Sequence, residues 1–264
     1  RAGSELGVHC RSGVKGERVL GEGGGAAGAA WIDAAGRRGE TRADAVFSDV
    51  DALATWRELL GRPDAPAARR YVRLEPSSSG VVFYWGVRRR DPRLDVNNIF
   101  FSPDYAAEFR AIFEEGRLPD EPTVYVNITG RVTTGDAPPD GDNWFVLVNA
   151  PPDRGQDWPA LTAALRTRVL AILSSRLGWD VGAEIAAEES LDPARIARKT
   201  GGYGGSLYGI ASNTPGAAFR RQANRCREIE GLYFCSGSAH PGGGMPLVLL
   251  SGRLAAEFAV ARGR

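Results

Sequence analysis

From Ile229 to Gly252 the chain runs Ile-Glu-Gly-Leu-Tyr-Phe-Cys-Ser-Gly-Ser-Ala-His-Pro-Gly-Gly-Gly-Met-Pro-Leu-Val-Leu-Leu-Ser-Gly, an order of residues that few folds accommodate. Leu232, Tyr233, Phe234 and Cys235 form an apolar run the length of a short buried strand. Ser236 to Gly244 is too rich in glycine for anything but a tight loop. Beyond it Leu247, Leu250, Leu254 and Phe258 recur at helical spacing, with Pro246 where a first helical turn tolerates proline. Strand, glycine loop and helix in that order let a backbone approach a bulky anionic group. Glycine removes the Cβ barrier, and the first N–H groups of a helix lack internal partners. An ordinary tight turn has the same glycines. What favours the binding reading is the helix flank made thin by Ser251, Gly252, Ala255 and Ala256, which suits close packing against a backbone or a flat ring.

Gly237 to Gly252 resembles the C-terminal FAD motif of the bacterial carotenoid (phytoene) desaturases, flavoproteins related in fold to the amine oxidases. The resemblance implies FAD contacts at Ser236, Gly237, Ser238, His240, Pro241, Gly242, Gly243, Gly244, Met245 and Pro246. Ser236 departs from the glycine usual in the family and adds a Cβ and a hydroxyl beside the loop. Early in the chain, the meander over residues 8–48 is similar to the family's middle FAD segment, where a glycine-containing strand runs near the adenine and an Ala-Asp-Ala-Val strand leads into a helix. By that likeness Gly16 stands where relatives have valine and contacts adenine through its backbone.

Composition fits this class and excludes others. The 264 residues are 43% hydrophobic and 25% charged, with a net charge of +1, so no basic field for nucleic acid exists. No apolar run reaches the ~18 residues of a membrane span. Three cysteines without a secretory signal suit a reducing cytosol, and Cys10, Cys226 and Cys235 lack metal-ligand spacing, so buried or neutral thiols and no metal are expected. The chain starts at Arg1 in mid-pattern, which reads as part of a longer protein.

In order, Val8–Arg11 and Glu17–Leu20 read as strands, Gly21–Gly25 as a turn, and Ala29–Asp33 as the return strand. A second turn at Gly36–Gly39 leads to a strand over Ala43–Ser48. Gly21-x-Gly23-x-x-Ala26 fits a dinucleotide fingerprint formally, but it opens a return strand where that motif needs a helix. Asp49 or Asp51 caps a helix through Leu60, with Leu53, Trp56, Leu59 and Leu60 on one face, and Pro63 and Pro66 end it. Ser79–Gly86 and Asn97–Phe101 read as strands. A helix starts at Ser102-Pro103 and runs through Glu115, with Tyr105, Phe109, Ile112 and Phe113 inward. Thr123–Ile128 and Trp144–Asn149 are the clearest strands. Leu161, Leu165, Val169, Ile172 and Leu173 mark a helix over Trp158–Leu177 ended by Gly178, and Asp192 caps another to Lys199. Arg88, Arg89 and Arg90 read either as a solvated turn or as a contact for anionic lipid head groups.

Asn98–Ser102, Leu118–Tyr125, Asn143–Pro151 and Gly205–Gly209 resemble, in that order, the substrate domain of the same family. The likeness implies a mixed α/β (α+β) fold: a partial FAD-binding Rossmann-like domain with an inserted mixed-sheet and helix substrate domain. Segment 1–61 would be the middle of the FAD domain, 62–227 the substrate domain, and 228–264 the C-terminal FAD-binding strand, loop and helix. Asn143-Trp144 and Val126–Thr129 are closest to the branch that desaturates hydroxylated carotenoids at the 3,4 position.

Acid–base constellations are thin, with two histidines and no carboxylate pair in a glycine-rich site. His240, in the glycine loop, reads as a cofactor contact or as a loop histidine bonded to backbone. A flavin enzyme fits this poverty, because the cofactor takes the hydride and the protein binds, orients and excludes water. The resemblance implies hydride transfer from an allylic carbon of a carotenoid to FAD, with loss of a neighbouring proton, in an apolar tunnel for which Tyr84, Trp85, Tyr125, Trp144 and Tyr208 are candidate lining. All five also read as core. The family's N-terminal glycine fingerprint and its acid–base side chains have no counterpart in these residues. No catalytic residue is therefore named, and the 264 residues alone are expected to be inactive and to bind FAD poorly. A cytoplasmic, peripherally membrane-associated protein is expected, and nothing identifies the electron acceptor. An oxygenase or isomerase of polyenes in the same superfamily, or a non-catalytic lipid-binding module, are the other readings.

Overall fold

Alternation along one strand organises half of the molecule. From Asp142 to Ala150, buried residues alternate with half-buried ones, so Trp144, Val146 and Val148 face a core while Asn143, Phe145 and Leu147 face the other way. The computed structural model describes residues 5–214 and 216–262. It divides into one unit formed by the chain up to Glu75 and from Tyr208 onward, and another formed by Pro76–Leu207. The cuts fall inside the 62–227 segment that the sequence assigns to the substrate domain.

The Pro76–Leu207 unit is a five-stranded sheet with strand order β6-β7-β8-β5-β9. Its strands are β5 (Ser79–Val87), β6 (Asn97–Phe100), β7 (Val124–Asn127), β8 (Asp142–Ala150) and β9 (Ile185–Leu191). All pairings are antiparallel, with Trp85 opposite Trp144 and Tyr84 opposite Phe145. Helix α4 (Trp158–Leu177) covers one face with Leu165, Val169, Leu173 and Leu177. Each such buried side chain contributes about 1.5–3 kcal/mol. Asp157 caps the helix through its carboxylate on Ala160 N, and Gly178 ends it at φ 73°. Helices α3 (Tyr105–Phe113) and α5 (Pro193–Thr200) complete the unit.

The other unit contains a three-stranded antiparallel sheet of β1 (Val14–Glu22), β2 (Gly25–Asp33) and β3 (Arg38–Arg42). The formal dinucleotide fingerprint is the hairpin between the first two strands: Glu22 pairs with Gly25, and Gly23 and Gly24 take positive φ of 58° and 86°. Strand β4 (Val46–Ser48) pairs in parallel with β10 (Leu232–Phe234). It leads into α1 (Ala52–Ala54), which continues as a π-helical turn over Thr55–Leu59 and is capped by Asp51. Helices α2 (Pro66–Val72) and α6 (Met245–Arg262) follow.

Several expectations are corrected. Val8–Arg11 forms no strand. Pro66 starts a helix where the sequence read it as a stop, because a first-turn proline sacrifices no intrahelical N–H. Strands β3 and β9 escape the reading because Arg38–Arg42 is largely polar and Ile185–Leu191 is poor in strand-favouring residues. The cap of α3 is Asp104, and its Tyr105 is 52% exposed, not inward. Leu247, Leu250 and Phe258 on α6 are 41–45% exposed, while its buried positions are Ser251 and Ala255. The thin flank, not the leucine row, is the packed face.

Candidate functional site

Residues 235–245 leave the parallel pair β4–β10 and enter α6, and their conformation is fixed by side chains as much as by glycine. Cys235 N donates to Ser48 O at 3.0 Å, continuing the strand pairing. Ser236 is buried, and its hydroxyl bonds that of Ser238 at 2.7 Å. Ser238 Oγ accepts from Ala52 N at 2.8 Å, tying the loop to the start of α1. The departure from glycine at Ser236 is thus absorbed by a hydroxyl pair inside the fold. His240 N donates to Gln222 O at 2.8 Å, so this histidine is held by its backbone, and its peptide bond to Pro241 is cis.

Two residues that the sequence reading passed over fasten this loop. Arg221 is 5% exposed, and its guanidinium donates to Tyr208 O (2.7 Å), Gly237 O (3.1 Å), Ile210 O (2.8 Å) and Ser212 Oγ (3.1 Å). Its buried Nε has no hydrogen-bond partner among the described residues, and burial pulls the guanidinium below its ordinary pKa. Asn224 shares its amide N–H bonds among Phe234 O, His240 O, Ser251 O and Ser251 Oγ, joining β10, the loop and α6. Gln222 accepts from Trp56 Nε1 at 3.1 Å. In sequence, Arg221 to Asn224 lies in a polar run with no periodicity. Burial alone reveals these residues.

Two of the three consecutive glycines answer to this packing. A Cβ on Gly242, at φ 140°, would stand 3.0 Å from Arg221 Nε, and one on Gly243 would stand 2.6 Å from the Tyr208 ring. Gly244 differs: at φ 100° its Cβ direction meets open space, next to an exposed Met245 and Pro246 at the start of α6. A buried, carboxylate-free cation, a glycine open to approach and a helix start suit an anionic group such as FAD. A cavity of about 680 Å³ with Arg221, Arg225, Arg227, His240 and Phe258 in its wall lies in the same unit. Gly16 is elsewhere, on β1 opposite Trp31, in a different sheet from the loop.

The five candidate lining residues separate. Tyr84 and Tyr125 lie on the sheet face away from α4, where Phe145 contacts both rings edge-on at 5.6 and 6.5 Å. Trp85 and Trp144 belong to the core at 2% exposure each, and both residues also stand in the wall of a cavity of about 560 Å³ beside Tyr84 and Phe145. Tyr208 belongs to the other unit, 49% exposed, with its backbone carbonyl held by Arg221. Phe145 was missed; as the strand neighbour of Trp144 it carries the opposite parity.

Cys226 and Cys235 are held as neutral thiols by burial, which pushes both pKa values up, and Cys10 is exposed. No group of metal-binding side chains occurs among the described residues. None of the described helices is long and apolar enough to cross a membrane. Of the three consecutive arginines, Arg89 stacks over Trp179 at 4.8 Å and Arg90 faces Asp142 at 3.6 Å, so intramolecular partners already engage two.

No protein-family model matches the chain. It is 43% identical over 84% of its length to a 1-hydroxycarotenoid 3,4-desaturase of a Flavobacterium species, of which it covers 45%. It is 34% identical over 83% of its length to a 4,4'-diapolycopene oxygenase of a Methylomonas species, of which it covers 44%. The chain therefore spans a little under half the length of these curated relatives. In structure it is similar to an oxidoreductase from Methanosarcina mazei, with a TM-score of 0.60 at 17% identity, covering 93% of this chain and 49% of that one, which shows a shared fold.

Proposed function

We propose that this chain, a homologue of the carotenoid desaturases, contributes the C-terminal strand, glycine loop and helix of a flavin site and the substrate sheet of an FAD-dependent carotenoid desaturase. The observation that carries the reading is desaturase likeness along most of the chain, joined to a glycine loop clamped by a buried arginine. Gly244 and the start of α6 would meet the anionic cofactor, with Arg221 fixing the loop behind them. When bound, FAD supplies the hydride acceptor. The chain's own part is to hold the loop rigid and to offer an apolar surface, Tyr84, Tyr125 and Phe145, that orients a polyene and excludes water. A hydroxylated carotenoid is the finer substrate reading, supported by the name of the 43% identical relative. Peripheral contact with a membrane from the cytoplasmic side accompanies so apolar a substrate, and Ile99, Phe101 and Tyr105, each at least 52% exposed, would meet the lipid.

The test is to express the whole open reading frame that carries this chain in cells accumulating a carotenoid precursor and to record the pigment spectrum. A red shift of the long-wavelength bands supports desaturation. An unchanged spectrum despite flavin-loaded protein refutes it. The oxygenase likeness favours one second reading, which predicts products carrying added oxygen by mass spectrometry.

A further inference from the structure

The open face of the five-stranded sheet is not uniformly apolar, and its polarity is graded along β8. At one level Val82, Leu147, Tyr125 and Ile99 stand side by side on β5, β8, β7 and β6. At the next come Tyr84, Phe145, Asn127 and Asn97, and beyond Phe145 on the same face comes Asn143 opposite Gly86. From Leu147 to Asn143 the strand advances about 13 Å. A cavity of about 560 Å³ occupies the polar end, with Tyr84, Phe145, Asn127, Thr129 and Asn143 in its wall.

Most polar groups in that wall are committed. Glu188 accepts from Trp85 Nε1 and Arg166, and Glu189 from Arg195. Thr129 Oγ1 donates to Asp136 and accepts from Asn143 Nδ2 at 2.7 Å. Asn143 Oδ1 accepts from Gly130 N at 2.8 Å, which fixes its amide and leaves one N–H of Nδ2 open. Asn127 Nδ2 donates to Val96 O and Asn97 Oδ1, both at 3.0 Å, so its Oδ1 is left as an acceptor with no partner among the described residues. One open donor and one open acceptor, each on a side chain fixed by other bonds, adjoin an aromatic strip. A hydroxyl is the group that uses both, donating to Asn127 Oδ1 and accepting from Asn143 Nδ2. A carboxylate would meet an acceptor it cannot satisfy, and a hydrocarbon end would leave both amides unpaired.

We infer that Asn127 and Asn143 form a hydroxyl-recognising subsite that selects polyenes bearing an alcohol at the end bound beside Tyr84 and Phe145. The inference rests on the desaturase reading and adds to it the residues that set substrate choice.

The experiment uses the full-length flavin-loaded protein and two polyenes of equal length, one with an end hydroxyl and one without. Wild type is expected to prefer the hydroxylated polyene in kcat/KM by about ten-fold or more, the discrimination of one or two satisfied hydrogen bonds. Asn127→Leu and Asn143→Leu are expected to erase most of that preference. Asn143→Asp, which keeps the oxygen that Gly130 N–H uses but loses the open amide N–H and the bond to Thr129 Oγ1, is expected to lower the ratio too, with bound flavin as the check on folding. A merely structural role for these asparagines would lower both rates together and leave the ratio unchanged. Variants with the wild-type ratio, or a wild type without preference, overturn the subsite while desaturation stands. Failure on both polyenes with flavin bound refutes the desaturase reading itself and the subsite with it.

Discussion

Replacing Arg221 by alanine tests whether the glycine loop is held from behind by this one side chain. Four bonds vanish, three of them to main-chain carbonyls of residues 208, 210 and 237. A hydrogen bond from a charged donor contributes about 1.5–3 kcal/mol, and leaving its acceptor buried and unpaired costs about as much. Against that stands the desolvation of a guanidinium with no carboxylate in contact, which alanine relieves, and water entering the vacated space would re-solvate part of the carbonyls. The balance is a loss of about 2–4 kcal/mol, set by neutral acceptors left without a charged donor and reduced by the desolvation that alanine relieves. Arg221→Lys separates charge from geometry. A lysine keeps the cation but cannot span carbonyls on two different segments with one nitrogen, so it is expected to recover less than half of the loss. Stability is read by urea unfolding of the full-length protein, and loop integrity by the flavin that survives gel filtration. A change of less than about 0.5 kcal/mol in Arg221→Ala, with flavin retained, would refute the clamp. Full rescue by lysine would show that charge, not the spread of donors, is what the loop needs.

Two further perturbations probe the sheet unit. Asp91 is 2% exposed, and its carboxylate accepts from Arg93 and from Trp179 Nε1, so its pKa is held well below the carboxylate range chiefly by the Arg93 side-chain bond. A depressed carboxyl adds stability that is complete above its unfolded value near ~4 and fades as pH falls below it. With half-exposed Arg93 discounted for solvent, Asp91→Asn is expected to cost about 2 kcal/mol at pH 7 and to flatten the fall in denaturation midpoint on acidification; an equally steep fall in the variant refutes the assignment. The neighbours Tyr84 and Trp85 should behave oppositely. Trp85→Ala is expected to cost about 3–5 kcal/mol in unfolding free energy, whereas Tyr84→Ala, on a ring 42% exposed, should cost under about 1 kcal/mol and raise KM for the polyene. The reverse order would mean the two sheet faces are exchanged.

That pair also shows what the sequence could and could not convey. An aromatic, β-branched run makes β5 legible, alternation makes β7 and β8 legible, and helical spacing makes α4 legible. Parity alone turns Tyr84 and Trp85 to opposite faces of the sheet. Which of the two faces outward depends on where α4 packs, a long-range fact that no local window holds. The register adds the rest: Trp85 stands opposite Trp144, so both indoles go inward together, and Phe145 goes outward with Tyr84. Strand β9 was invisible for the converse reason. Its Ala-Ala-Glu-Glu centre has no strand preference of its own, and it is held as an edge by pairing with β5 and by Glu188 bonding Trp85.

The glycine loop divides along the same line. Its glycines were legible because missing side chains are a local property, yet the reason for two of them is not local. Gly242 and Gly243 yield space to Arg221 and Tyr208, which approach from chain distant in sequence. Only Gly244 has the open surroundings expected of a residue kept small for a ligand. The motif is therefore two devices in series: a packed half, closed by Arg221 and Asn224 against the body of the unit, and an open half at the start of α6. Ser236 belongs to the packed half, where its hydroxyl joins Ser238 and through it the first turn of α1. Its Cβ is tolerated there because its hydroxyl is paired inside the fold. A side chain at Gly244 would stand in the open half, which on the proposed flavin reading is where the cofactor's negative charge approaches, so Gly244→Val is expected to lower flavin retention without loss of stability.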